Sequence, residues 1–161
     1  MNAAQPEESH RWLKQLVGDW IIEGGHGEGC SPSGTEHVRM LGDLWLVGES
    51  EMTMPDGGTG RAMITIGYDP QSKRFVGTWV GTMMTKMWIY DGELDPTGRI
   101  LSLYAEGPTW DEQGNFSSTE KTLYRDAIEL KPDGTRIFTG SSRQKDGSWK
   151  TFMTSTYRRK S

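Results

Sequence analysis

The chain has 161 residues, a formal net charge of -4 and an apolar content of 34%, with 7 Trp and 9 Met. That length fits one domain with one core, in which large aromatic and thioether side chains make up for a shortage of aliphatic ones. Mixed-sign charge with no basic block longer than the terminal RRK leaves no electrostatic footprint for nucleic acid, and no apolar run approaches the roughly 18 residues of a membrane span.

The N-terminal stretch MNAAQPEESHRW has neither the basic nor the apolar region of a leader, and Cys30, the single cysteine, permits no internal disulfide. A reducing, cytoplasmic setting is expected. In PEESHRWLKQLVGDW the apolar Trp12, Leu13, Leu16 and Val17 fall at i, i+1, i+4 and i+5, behind Pro6, Glu7 and Glu8. This predicts one helix over about 6–17, ended by Gly18, with Trp12, Leu16 and Val17 covering apolar side chains.

Turn signals then recur at a steady interval: PDGG at 55–58, YDPQSKRF at 68–75, LDPTGR at 94–99, WDEQGN at 110–115, KPDGT at 131–135 and KDGSW at 145–149. Runs rich in Val, Ile, Thr, Trp and Tyr separate them, which is the pattern of consecutive antiparallel hairpins. The predicted strands are 19–28, 35–42, 44–53, 61–68, 74–81, 84–92, 99–106, 118–130, 136–143 and 148–158. An open sheet of this kind would leave two bare edges, and closure removes them. The expectation is an all-β, antiparallel up-and-down β-barrel of about ten strands with one N-terminal helix. No linker divides the chain, so 1–161 reads as one domain, with helix at about 6–17 and barrel at about 18–160.

The richest stretch is FVGTWVGTMMTKMWIYDGELD, residues 75–95. Period-two alternation sets Phe75, Gly77, Trp79, Gly81 and Met83 on one face; past a turn, Met84, Lys86, Trp88 and Tyr90 share a face. Soft, polarizable side chains between glycines fit a cavity wall as well as a packed core. Lys86 beside Trp88 reads as a cavity mouth, where an ammonium would meet an anionic ligand group.

Charged residues also fall within apolar strand patterns. Glu49 and Glu51 share a face with Trp45 and Val47, Glu106 ends a strand, and Arg125 in TLYRDAIEL is a bidentate partner for a buried carboxylate. The opposite reading puts these groups on a solvated outer face; Tyr124 and Asp126 lie on the face opposite Arg125, so the three cannot all line one cavity. The histidines are His10, His26 and His37, with no HxH, HExxH or CxxC spacing. His26 and Glu28 share a strand face, which is two ligands and too few for a metal. No nucleophile elbow, catalytic triad order or phosphate loop is present.

WLKQLVGDWIIEG, LGDLWLVGESEM, the TIGYDPQSKRFVGTWVGTMMTKMWIYDGELD hairpin and TFMTSTYRRK together resemble the bacterial lipocalin-like β-barrels catalogued as a domain of unknown function, DUF1579. The resemblance runs over almost the whole chain and is most specific in the GYDP…RFVGTW hairpin. Gly18-Asp19-Trp20 after a helix is also similar to the wider calycin group of lipocalins, fatty-acid-binding proteins and avidins. This implies a barrel with a cavity in which an arginine of the last strand, Arg158 or Arg159, packs on Trp20 to close the floor. LVGDWIIEGGHGEG further resembles the opening of the nitrobindin haem barrels; those carry an axial histidine near the C-terminal end, whereas the last histidine here is His37. None of these resemblances supplies a substrate.

The residues therefore point to a noncatalytic barrel that holds a small apolar or amphipathic ligand on a wall of Trp45, Glu49, Trp79, Met84, Trp88, Tyr90, Glu106 and Arg125. No catalytic residue, metal ligand or cofactor is assigned, and neither nucleic acid nor membrane is expected as a partner. The alternatives are an enzyme using Glu49, Glu106, Arg125 or Tyr90 in the same cavity, a haem barrel, and a module that forms a homodimer through an outer apolar stripe at Ile21.

Overall fold

A computed structural model of the chain describes residues 1–24 and 33–161. A short helix α1 (Glu8–Leu13) runs into a 3₁₀ turn (Lys14–Leu16) and is followed by strands β1 (Gly18–Glu23), β2 (Gly34–Leu41), β3 (Trp45–Thr53), β4 (Thr59–Asp69) and β5 (Arg74–Gly81). Strands β6 (Trp88–Leu94), β7 (Ile100–Trp110), β8 (Phe116–Leu130), β9 (Arg136–Arg143) and β10 (Trp149–Arg159) complete the chain. Each strand pairs antiparallel with the next, and β1 pairs with β10 from Trp20↔Arg159 to Glu23↔Thr156. The result is the closed, up-and-down antiparallel barrel that the turn spacing predicts.

The hairpins form where an acidic side chain can brace a turn. Asp133 accepts the Thr135 N–H at 2.9 Å while Gly134 takes φ 87°, and Asp146, Ser148 and Gly147 repeat the arrangement at 2.9 Å and φ 86°. A positive φ of this size costs a side chain its Cβ clearance, so glycine is the residue that fits.

Among the strand ends that lie within the described residues, two differ from expectation by four residues and the others by two or fewer. The strand expected over 84–92 begins at Trp88, because the end of β5 is tied to β4: the Thr82 N–H donates to Arg61 O at 2.8 Å and the Thr82 hydroxyl accepts the Arg61 N–H at 3.0 Å. Residues 82–87 are thus a connection rather than a strand. The strand expected to end at 106 continues to Trp110, with a register shift between Pro108 and Trp110 that absorbs the missing proline N–H. His26, Glu28 and Cys30, along with the last residues of the strand expected over 19–28, lie outside the described residues.

Inward positions grade along the barrel axis. The end below the helix is aliphatic, with Leu13, Leu101 and Leu103 packed within it and Leu16, Leu46 and Ile66, equally excluded from solvent, bordering the space above. Trp12 Nε1 donates to Gly98 O at 2.6 Å. His10 Nδ1 accepts the Glu7 N–H at 2.9 Å, which leaves the proton on Nε2 to donate to Tyr68 O at 3.0 Å. Val17, expected to cover the core, is 37% exposed; the 3₁₀ turn stops at Leu16 and the backbone at Val17 is already extended, so Leu13 takes that role.

Closure rests on Trp20. Its indole N–H donates to Leu16 O at 2.9 Å, and the Arg159 guanidinium lies 4.3 Å from its ring centre. The same guanidinium donates to Val17 O at 2.8 Å and Gln15 O at 2.7 Å, satisfying carbonyls that the helical turn leaves open. Arg158 points away and pairs with Glu23. Arg159→Ala is expected to cost about 1–3 kcal/mol through the lost stacking and charge-assisted bonds, whereas Arg158→Ala removes an exposed pair worth about 0–1 kcal/mol. Urea midpoints measure the difference, and equal shifts for the two variants would contradict this closure.

Candidate functional site

Above Trp20 the barrel is not filled. A cavity of about 500 Å³ occupies its centre and upper part. Its lining changes character with height, and each layer follows from which side chains the strand register sends inward.

On the floor, Glu36 stands beside Trp20 in register and Arg136 beside Tyr157. Arg136 Nη2 donates to Glu36 Oε1, and both residues are almost wholly buried. The guanidinium also lies 4.6 Å from the Trp20 ring centre and 4.2 Å from that of Tyr157. Its Nε has no hydrogen-bond partner among the described residues. A buried charge survives only when paired and hydrogen-bonded, and here the pair plus two aromatic faces supply that environment.

Higher on the wall, the Tyr90 hydroxyl donates to Asp126 Oδ2 at 2.5 Å. Burial pushes the Asp126 carboxyl up to about 6, against the opposing pull of that hydrogen bond. Burial also pushes Tyr90 well up, reinforced by the adjacent Asp126 charge, so the phenol keeps its proton. Tyr157 is raised chiefly by burial, with Glu36 adding to the effect and Arg136 opposing it. Ser50 and Ser155 add hydroxyls to the lining.

At the open end the lining is thioether and aromatic. Met54 and Met83 meet over Gly60, where an added Cβ would stand 2.6 Å and 3.1 Å from them. Trp88 lies across Gly107, 5.1 Å edge-on from Tyr124, and its indole N–H points to Met84 Sδ at 3.1 Å. Trp110 packs edge-on against Phe152 at 4.9 Å, while the Tyr124 hydroxyl donates to Pro108 O. A bulge between Thr151 and Met153 lets both Phe152 and Met153 reach the cavity, which strict alternation would not allow.

Of the residues the sequence singles out, Trp79, Met84, Trp88 and Tyr90 line this cavity. The other four lie on the outer face. Trp45 covers Gly67, where an added Cβ would sit 2.3 Å from its ring; Glu49 and Glu51 are exposed, Glu51 beside Arg61 at 3.5 Å. Glu106 is exposed and 3.8 Å from Lys121 Nζ, and Arg125 stacks 4.8 Å over Trp149 instead of meeting a buried carboxylate. Lys86 rests 5.1 Å from the Trp88 ring centre and is not part of the lining. Of the two strand glycines, Gly77 permits a close backbone approach, with Thr65 O at 2.0 Å from an added Cβ, while the space beside Gly81 is taken by Met83 and Trp79.

Of the other polar residues that reach the interior, Glu36, Arg136 and Tyr157 are absent from the sequence reading, and Asp126 appears there only as lying on the face opposite Arg125. One signal for Asp126 exists: in TLYRDAIEL its face carries Tyr124, Ile128 and Leu130, whereas the Arg125 face carries Leu123, Ala127 and Glu129. The more apolar face is the inward one.

The haem resemblance implies an axial histidine, and the described lining offers none. His10 lies beneath the barrel and His37 is on the outer face, 2.6 Å from Asp19 Oδ1. Among the described residues no three His, Cys, Asp or Glu side chains converge as a metal site, and no helix is long and apolar enough to cross a membrane.

No curated protein matches the chain. The family described as "Protein of unknown function (DUF1579)" matches residues 5–159, which is nearly the whole sequence. With its helix-capped, ten-strand closed barrel, the chain belongs to the DUF1579 family.

Proposed function

We propose that this protein binds one small, largely apolar molecule inside the barrel. The observation that carries the reading is the size of the interior space together with its lining. The volume of about 500 Å³ lies in the range of ordinary ligand sites, and a largely apolar lining with a few polar groups is the usual character of such sites. Met52, Met54, Met83, Met84 and Met153 at the open end give a wall that adapts to the shape of a guest, and Trp79 and Trp88 give it broad apolar faces. The single cysteine supports a cytoplasmic setting.

A second reading, catalysis in the same cavity, is favoured by one observation. Asp126, with its carboxyl raised to about 6 and joined to Tyr90, has the form of an acid–base group beside an apolar pocket. Glu49, Glu106 and Arg125 have no part in that reading, since they face outward. Mass spectrometry of a guest recovered after incubation separates the two: a binding protein returns it unchanged.

Nile red, a neutral dye whose emission reports an apolar surrounding, is expected to bind at one site per chain. Trp88→Ala and Met84→Ala enlarge the cavity and are expected to change its dissociation constant several-fold. Leu101→Ala, in the packed end away from the cavity, is expected to cost about 2–5 kcal/mol of stability and leave the affinity unchanged. If the dye does not bind the wild type and all three variants simply unfold early, the interior is only core and the binding reading fails.

A further inference from the structure

We propose that the polar end of the guest is a protonated amine, held inside the barrel with Asp126 as its counter-ion. The inference rests on the binding reading and adds to it the chemical class of the ligand.

It follows from the charges inside. Among the described lining residues three side chains carry formal charge: Glu36, Asp126 and Arg136. Glu36 and Arg136 neutralise one another through a direct hydrogen bond, and the Trp20 and Tyr157 rings lie against the guanidinium, whose Nε is left as a donor without a partner but not as an unmatched charge. Asp126 is left without a cation. Tyr90 supplies one hydrogen bond, to Oδ2; Oδ1 receives none from any described residue. The groups around it are Tyr90 from β6, Tyr157 from β10 and, beyond Tyr157, the Glu36–Arg136 pair from β2 and β9, while β7 and β9 place Leu103 and Gly140 beside it in register. Desolvation and the Tyr90 bond are what act on its carboxyl, and no positive charge is among them.

A guest entering this space meets one uncompensated carboxylate in a largely apolar cavity whose other two charges are paired with each other. A carboxylate or phosphate guest would add a second like charge where screening is weak. An alcohol satisfies Oδ1 but leaves the charge unmatched. An ammonium does both: its N–H donates to Oδ1 and its charge answers the carboxylate. The aromatic faces that share the cavity, Trp79, Trp88, Tyr90 and Tyr157, suit the same cation. Of the two cations that could meet an anionic guest, Lys86 lies outside the lining against Trp88 and Arg136 is already paired with Glu36.

The test displaces Nile red with three guests of equal length below their micelle concentrations: decylamine, decanol and decanoate. At pH 7.5 decylamine is expected to bind at least tenfold more tightly than decanol, and decanoate more weakly than either. The sign of the pH dependence is set by the carboxyl: with a value of about 6, roughly one-tenth of Asp126 is ionised at pH 5, so the amine should lose about tenfold there while decanol barely changes. Asp126→Asn keeps the size and the acceptor for Tyr90, and it should erase the amine's advantage while Nile red still binds. Should this variant fail to fold, the wild-type pH comparison decides alone. Decanol or decanoate matching the amine at pH 7.5, or an amine advantage that survives in Asp126→Asn, overturns the inference and leaves the binding reading standing. If neither Nile red nor any of the three enters the wild type, both fall.

Discussion

Everything in this barrel hangs on the environment of one ring. Trp20 has two guanidinium groups against it: Arg159, bound to the last carbonyls of the helical turn, and Arg136, bound to Glu36 on the cavity floor. The first contact joins β1 to β10 and anchors the helix; the second sets the polar floor. Seal and site therefore share a side chain. A change that tilts the indole is felt at the helix terminus through the Leu16 carbonyl and in the cavity through Arg136, although those two places have no direct bond to one another.

The gradient above that ring has a physical order. Leucine and isoleucine fill the closed end, where well-defined rotamers pack to high density. Ion pair and phenols occupy the middle, and methionine with broad aromatics lines the open end, where flexible thioethers make an adaptable surface. A low aliphatic content is thus compatible with a stable barrel, because the aliphatic residues are concentrated where closure needs them.

Much of the architecture was legible because turns and strands have local causes. Asp133-Gly134 and Asp146-Gly147 brace their hairpins with their own side chains, so the rhythm of the meander is written in short stretches. The site was legible in part, for a reason visible in two strands. Alternation assigns Arg125 and Asp126 to opposite faces but says nothing of which face is inward; that depends on the summed apolar character of Tyr124, Ile128 and Leu130 against Leu123, Ala127 and Glu129, and on the neighbouring strands. Trp45 misleads for a related reason. A large aromatic in a strand pattern reads as inward-facing, yet Trp45 stands on the outer wall, where it covers Gly67, a position distant in sequence. Phe152 and Met153 reach the cavity together only because β10 carries a bulge, and a bulge has no mark in the sequence that period-two counting can detect.

Asp126 makes the separation between folding and function concrete. Its carboxyl is raised in the folded protein to about 6, above the ordinary 3.8, so ionisation opposes folding. For a group of this kind the stabilising contribution is complete below the unfolded value and is lost as pH rises through the folded one. At neutral pH an ionised Asp126 therefore weakens the fold, by something on the order of 2–3 kcal/mol for a shift of about two units. Tyr90 offsets part of this with its hydrogen bond, and no described cation offsets the rest. An apolar side chain of similar volume would be the better choice for stability alone. Beyond the Tyr90 bond, an ionised carboxylate in that position gains from a positive charge brought beside it, and on the proposed reading that compensation goes to binding rather than to the empty fold.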